Sequence, residues 1–88
     1  MNALEQAEKY LKKALEIIDL NEADKEGRHH GIIYRIYGYM YWKFFKKSKA
    51  DDYLNRALAI FQKINDPYLI STIHKERGDM HKEVQEAE

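Results

Sequence analysis

The four histidines are the side chains of this chain best suited to metal or acid–base chemistry. His29 and His30 are adjacent and would point to different faces of a helix, whereas His74 and His81 lie two helical turns apart on one face. No HExxH pattern accompanies them, and a metal site would need further ligands from other helices. We therefore expect packing or surface histidines. A four-helix-bundle metal-binding protein or enzyme using His74 and His81 is the alternative.

Catalytic constellations of other kinds are not apparent in the sequence. Glutamate and aspartate are plentiful but lie mainly on polar helix faces, where no carboxylate pair is isolated among apolar residues. The only serines are Ser48 and Ser71, no triad pattern appears, and there is no cysteine. We expect a protein that is not an enzyme and needs no cofactor.

Composition narrows the class of protein further. The 88 residues are enough for one domain, residues 1–88, and the 44% hydrophobic and 34% charged content is typical of a globular chain. Fifteen basic and fifteen acidic residues cancel, which argues against nucleic acid or an anionic membrane as the partner. A short basic segment, residues 43–49, is explained by the end of a helix. The missing cysteines and the lack of a secretory signal favour the cytoplasm.

Residues 31–45, with the sequence GIIYRIYGYMYWKFF, are the most apolar stretch of the chain. They hold seven of its eleven aromatic side chains and only two charges, Arg35 and Lys43. At about fifteen residues the stretch is short for a bilayer, which needs roughly twenty. It predicts a central helix that other helices contact on several sides.

The elements that would position these residues are all helices. Apolar spacing predicts helices over about residues 3–20, 24–46, 49–64 and 67–86, with residue 28 as an alternative start of the second helix. Ser48 is the predicted N-cap of the third helix, with Asp51 completing a capping-box-like arrangement. Asp66 and Pro67 are the predicted N-cap and first residue of the fourth. Gly38, inside the second helix, would let a neighbouring helix approach closely.

The first and third helices repeat one another. AEKYLKKALEII and ADDYLNRALAIF are identical at six positions with helical spacing, and the second and fourth helices match more weakly, at Gly38 with Gly78 and Met40 with Met80. The offset is about forty residues in both comparisons. Such a period, built of two helices, predicts an array of antiparallel helical hairpins. A generic antiparallel four-helix bundle with a coincidental repeat is the alternative.

This pattern resembles the tetratricopeptide repeat (TPR) family, in a longer variety with a period of about forty residues. The residues that carry the resemblance are Tyr34, Tyr37, Gly38 and Tyr41 for the family's first helix, and Ala50, Leu54 and Ala57, repeated as Ala7, Leu11 and Ala14, for its second. The period exceeds the family's usual length, and Arg77 stands where an apolar residue is expected before Gly78. The resemblance implies a right-handed superhelical array.

The resemblance also implies a concave groove that binds a peptide. Carried onto this chain, its lining is Ile32, Arg35, Tyr39, Trp42 and Lys43 on the second helix, and Thr72, Lys75, Asp79 and Lys82 on the fourth. Because Arg35, Tyr39 and Trp42 are spaced by four and three residues, they share a helical face suited to an acidic or aromatic peptide group. These side chains could instead pack within the chain or remain solvated.

We therefore expect an all-α scaffold or adaptor that binds a protein or peptide segment and could self-associate as a homodimer. Arrays of this kind usually need about three repeats for stability, which is why unsatisfied hairpin faces favour self-association. A purely structural or designed helical repeat without a ligand stays as a further alternative.

Overall fold

The chain folds into four consecutive α-helices in a computed structural model. The structure describes residues 2–21 and 27–87, with the side chains of residues 2–20 and 27–82. The helices are α1 (Ala3–Asn21), α2 (Arg28–Lys43), α3 (Lys47–Lys63) and α4 (Pro67–Ala87). The predicted all-α class with four helices is confirmed. Among the described helices, none is long and apolar enough to cross a membrane.

The boundary between α2 and α3 differs from the sequence prediction. The helix predicted to reach residue 46 ends at Lys43, because Phe45 adopts a left-handed backbone with φ of 61°. The amide of Lys46 then donates to the carbonyl of Tyr41, and that of Phe45 to the carbonyl of Trp42. This is the Schellman pattern, in which two backbone bonds close a helix end. The predicted start at residue 24 lies outside the described residues.

The predicted N-cap at Ser48 is wrong. The third helix begins at Lys47, two residues before the predicted start, and its N-cap residue is Lys46, whose side chain makes no capping hydrogen bond. Ser48 and Asp51 are therefore helical residues rather than a capping pair. The Schellman turn fixes the direction of the chain as far as Lys46, so the new helix starts directly after it.

The boundary between α3 and α4 follows the sequence prediction. Asp66 Oδ1 accepts a hydrogen bond of 3.1 Å from the amide of Leu69, which makes Asp66 the N-cap, and Pro67 is the first helical residue. Asn65 holds the left-handed position that ends α3, with φ of 57°. Asparagine tolerates this conformation better than most residues.

The helices lie side by side in a flat layer. Each packs mainly on the next one along the chain, with the most extensive packing between α2 and α3. The Cα atoms extend over 45, 37 and 16 Å along the three principal axes. A square four-helix bundle would have two short axes of similar length, so α2 and α3 form the centre of a layer that α1 and α4 flank.

Two glycines of α2 set the distance between α2 and α3. A methyl group added at Gly38 would lie 2.6 Å from Leu54 Cγ and 3.2 Å from the carbonyl oxygen of Ala50. One added at Gly31 would lie 2.5 Å from Phe61 Cε1. Both approaches are shorter than van der Waals contact, so a side chain at either position would push the helices apart. The pairing of Gly31 with Phe61 and Gly38 with Leu54 shows that the two helices run in opposite directions.

The buried side chains form two clusters on either side of this crossing. The first, between α3 and α4, contains Leu54, Ala57, Ile60, Phe61, Leu69, Ile73 and Met80. The second, between α1 and α2 with the start of α3, contains Ile33, Tyr37, Met40, Tyr41 and Ala50. Tyr34 and Trp42, half-buried, contact both clusters. The aromatic helix α2 is therefore central, as predicted.

Polar contacts fix α1 onto α2 at both ends. The hydroxyl of Tyr41 donates to Glu8 Oε2 at 2.7 Å, and His30 Nε2 lies 2.6 Å from Asp19 Oδ1. His30 is buried, with 2% of its surface exposed, whereas His29 is exposed. Burial and the bond to Glu8 raise the pKa of Tyr41 above its ordinary value of 10.0, and burial also raises that of Tyr37.

We predict opposite effects of alanine at two glycines. Gly38→Ala should lower the free energy of unfolding by about 1–3 kcal/mol, because overpacking at Leu54 outweighs the gain in helix propensity. Gly78→Ala should raise it by up to about 1 kcal/mol, since a methyl group there meets nothing within 4 Å. Urea unfolding followed by circular dichroism measures both. A stabilised Gly38→Ala would contradict the close crossing.

We predict that stability falls as the pH rises above about 10. The pKa of Tyr41 is higher in the folded chain than in the unfolded chain. Between these two pKa values the unfolded chain has lost the tyrosine proton while the folded chain still holds it. The free energy of unfolding therefore falls as the pH rises through this range. Tyr41→Phe should flatten the loss and cost about 1 kcal/mol at neutral pH through the lost hydrogen bond. Thermal unfolding between pH 8 and about pH 11 tests this, with Tyr68→Phe as the control at an exposed ring. Equal slopes for wild type and Tyr41→Phe would contradict it.

Candidate binding groove

Side chains of α2 and α4 meet across one face of α3. Arg35 on α2 donates from Nε and Nη2 to Glu76 Oε1 on α4, at 3.0 and 2.6 Å. Both side chains are partly buried, with 30% and 22% of their surfaces exposed. This charge-assisted pair connects two helices that are not neighbours along the chain, and it lies at the base of a surface groove.

The groove consists of two adjoining cavities. A cavity of about 200 Å³ is lined by Arg35, Ile36, Tyr39 and Glu76. A second, of about 150 Å³, is lined by Tyr39, Trp42, Lys43, Glu76, Asp79 and Met80. Tyr39 and Glu76 line both cavities, so the two form one continuous depression between α2 and α4. We call it the α2–α4 groove.

Apolar surface in the groove is accessible. Tyr39 is 48% exposed and Ile36 is 44% exposed, although both belong to the central helix of the fold. The ammonium of Lys43 lies 5.2 Å from the centre of the Tyr39 ring, within the range of a cation–π contact. An aromatic ring next to an aliphatic side chain, with a cation at its edge, can bury an apolar group of a partner.

The charges of the groove are balanced. Arg35 and Lys43 supply two positive charges, and Glu76 and Asp79 supply two negative ones. Because Glu76 already binds the guanidinium of Arg35, an acidic partner would have to compete with an internal carboxylate. The groove therefore favours an apolar or aromatic side chain over a purely acidic one.

Five of the residues that the sequence suggested for a groove line it in the structure: Arg35, Tyr39, Trp42, Lys43 and Asp79. The other four are placed differently. Ile32 is half-buried and packs against the cluster between α3 and α4. The hydroxyl of Thr72 donates to the carbonyl of Leu69 at 2.6 Å. Lys75 and Lys82 are exposed side chains of α4 that line neither of these cavities.

Sequence reasoning missed Ile36, Glu76 and Met80 as groove residues. One signal could have found Glu76. Thr72, Glu76 and Asp79 are spaced by four and three residues, the same spacing as Arg35, Tyr39 and Trp42 on α2. Two facing helices with matching spacing and opposite charges, Arg35 and Glu76, are candidates for an ion pair between them.

The histidines do not assemble into a site. His74 and His81 are exposed on α4, and His30 is buried against Asp19. The residues that the structure describes contain no group of three or more side chains that could hold a metal ion. The expected position of His29 and His30 on different faces of a helix is confirmed.

No family model, curated protein or solved structure matches this chain.

We predict that Arg35 and Glu76 are energetically coupled. A double-mutant cycle with Arg35→Ala and Glu76→Ala should give a coupling of about 1 kcal/mol that weakens as salt increases. The pair of Arg28 and Asp66, at 3.0 Å, is the control and should give a smaller value, because its arginine makes one hydrogen bond to the carboxylate instead of two and is 58% exposed. Chemical unfolding of the four variants of each cycle supplies the data. Equal coupling in the two cycles would contradict the role of the α2–α4 pair.

Proposed function

We propose that this chain is a TPR-like interaction module that binds a peptide or protein segment in the α2–α4 groove. The observation that carries the proposal is the accessibility of Tyr39 and Ile36, which lie on the most central helix and yet expose about half of their surfaces. Tyr39 and Ile36 line the same cavity, and adjoining exposed apolar side chains of this kind mark interaction sites more often than isolated ones do.

Features of the fold support the TPR-like interpretation. The residues that carry the resemblance on α2, Tyr37, Gly38 and Tyr41, are buried, and Tyr34 is half-buried. The glycine crossing of α2 and α3, and the packing of each helix mainly on the next one along the chain, are expected of stacked helical hairpins. The opposite face of α2 is then free to line a groove.

The chemistry of the groove suggests the kind of partner. An apolar or aromatic side chain would lie between Ile36 and Tyr39, and the second cavity, beside Trp42 and Met80, would take a neighbouring apolar group. Lys43 and Asp79 at the edge offer one charge of each sign to the peptide backbone or to polar flanking residues. A cytoplasmic location is part of the proposal, and the absence of cysteine supports it.

We predict that peptides selected by phage display on the immobilised wild-type chain bind through this groove. Tyr39→Ala should weaken the selected peptides about tenfold or more, since losing an aromatic anchor costs about 1–2 kcal/mol or more. Fluorescence anisotropy with labelled synthetic peptides measures the dissociation constants.

Tyr10→Ala is the matched control for this experiment. Tyr10 is a tyrosine that is 73% exposed on α1, outside the groove, so its loss should leave peptide affinity unchanged. The proposal fails if selection yields no peptide that Tyr39→Ala weakens while circular dichroism shows an intact fold.

A further inference from the structure

The internal repeat leaves α1 with fewer neighbours than α3. Positions of α1 correspond to positions of α3 forty-three residues later, as in Tyr10 and Tyr53. Positions of α2 correspond to positions of α4 forty residues later, as in Gly38 and Gly78. Helix α3 packs between α2 and α4, whereas α1 packs mainly on α2. The flank of α1 that corresponds to the α2-facing flank of α3 is therefore uncovered.

Burial at equivalent positions shows the difference. Leu54 and Ala57 of α3 are fully buried, while Leu11 and Ala14 of α1 are only half-buried. Ile60 is 7% exposed and its counterpart Ile17 is 51% exposed. Tyr53 is half-buried, whereas Tyr10 is 73% exposed. Helix α1 thus has the same apolar residues as α3, which packs between two helices, although α1 packs mainly on one.

The place that Tyr53 occupies shows what such a side chain packs against. Its ring stacks on Tyr37 and Tyr41 of α2, with centroids 4.7 and 5.5 Å apart. Leu54, the next residue, lies on Gly38. Tyr53 and Leu54 therefore pack on the face of α2 that carries Tyr37, Gly38 and Tyr41.

The corresponding face of α4 is open at Gly78. Its residues are Arg77, Gly78 and His81, and a methyl group added at Gly78 would meet nothing within 4 Å. A cavity of about 480 Å³ lies there, larger than either part of the α2–α4 groove, and its lining includes Trp42, Asp51, Arg77, Gly78, Met80 and His81. The place on α4 that corresponds to the one Tyr53 occupies on α2 thus borders a cavity.

We propose that the occupant is α1 of a second copy of this chain, with Tyr10 entering the cavity and Leu11 packing on Gly78. The contact reproduces the junction of α2 and α3 between two molecules. It is distinct from the α2–α4 groove: the two share Trp42 and Met80, whereas Arg77, Gly78 and His81 line only this cavity and Tyr39 lines only the groove.

The chemistry of the two faces is compatible. Arg77 and His81 stand where α2 has Tyr37 and Tyr41. The guanidinium of Arg77 donates to Asn55 Oδ1 and to the carbonyl oxygen of Asp51 on α3, and its planar group can still accept a tyrosine ring on its face. The missing side chain at Gly78 permits the close approach that Leu54 makes at Gly38. The more polar lining makes this contact weaker than the internal one, so association is reversible and depends on concentration.

The contact joins different faces, so it does not close on itself in a pair. Each copy offers one α1 face and one α4 face, and head-to-tail association of this kind produces open chains. A symmetric dimer through two α1 helices would instead stop at two copies. This difference separates the proposed arrangement from its nearest competitor.

Sedimentation velocity on the full chain and two variants tests the proposal. Tyr10→Glu blocks the α1 face, and Gly78→Gln places a long side chain in the mouth of the α4 cavity. Wild type should show a mass average that rises continuously with concentration up to millimolar, and each variant alone should stay monomeric. An equimolar mixture should form a one-to-one dimer that grows no further, because each variant keeps the face that the other lacks.

Fluorescence of Trp42 gives a second readout, since the only tryptophan of the chain lines the cavity. Its emission should change with concentration in wild type and on mixing the two variants, but not in either variant alone. Tyr39→Glu, in the groove, is the control and should associate like wild type. Circular dichroism checks that each variant is folded.

Three results would overturn the proposal. Wild type could stay monomeric at millimolar concentration, in which case the cavity serves another occupant. Gly78→Gln alone could dimerise as wild type does, which would indicate a symmetric α1 contact. The mixture could stay monomeric although wild type associates, which would place the interface elsewhere. None of these results bears on peptide binding in the groove.

Discussion

Helices α2 and α3 cross closely at Gly31 and Gly38, and the positions of α1 and α4 follow from this crossing. With no side chain at these positions, Phe61 and Leu54 lie directly on the backbone of α2. Helix α1 then packs on the α2 side of this central pair, and α4 packs on its α3 side. A larger residue at Gly38 would move α3 outward and separate Tyr53 from the rings on which it stacks.

Close packing at the crossing also explains why one face of α2 is buried while another lines the groove. Tyr37 and Tyr41 are used in the stack with Tyr53, and Tyr41 is further held by its hydrogen bond to Glu8. Because the glycine face and the stacked rings hold α2 in place, Tyr39 and Ile36 on the opposite side are not needed for burial. The pair of Arg35 and Glu76 keeps α4 beside that face, which gives the groove its second wall.

The same arrangement is incomplete at the edges of the layer. Tyr10 and Ile17 on α1 expose apolar surface at positions whose counterparts on α3 are covered, and Gly78 on α4 is open where Gly38 is in contact. In an array of repeated helices, each surface that accepts a neighbour inside the molecule reappears at its edge. In the proposed contact between copies, the polar residues Arg77 and His81, which stand on α4 where α2 has tyrosines, would limit the affinity.

The four helices, the central place of α2 and the close approach at Gly38 could be predicted from the amino-acid sequence, because apolar periodicity, composition and the glycine are visible in neighbouring residues. The start of α4 could be predicted from Asp66 and Pro67, whose local hydrogen bonding does not depend on distant contacts. The end of α2 could not, because a phenylalanine in the left-handed position of a Schellman turn carries no recognisable signal. Three facts follow from the packing of the helices alone: Arg35 binds Glu76, Lys75 and Lys82 lie outside the groove cavities, and Ile36 and Met80 line them. These facts depend on how two helices forty residues apart are rotated and spaced, and packing across α3 fixes that geometry.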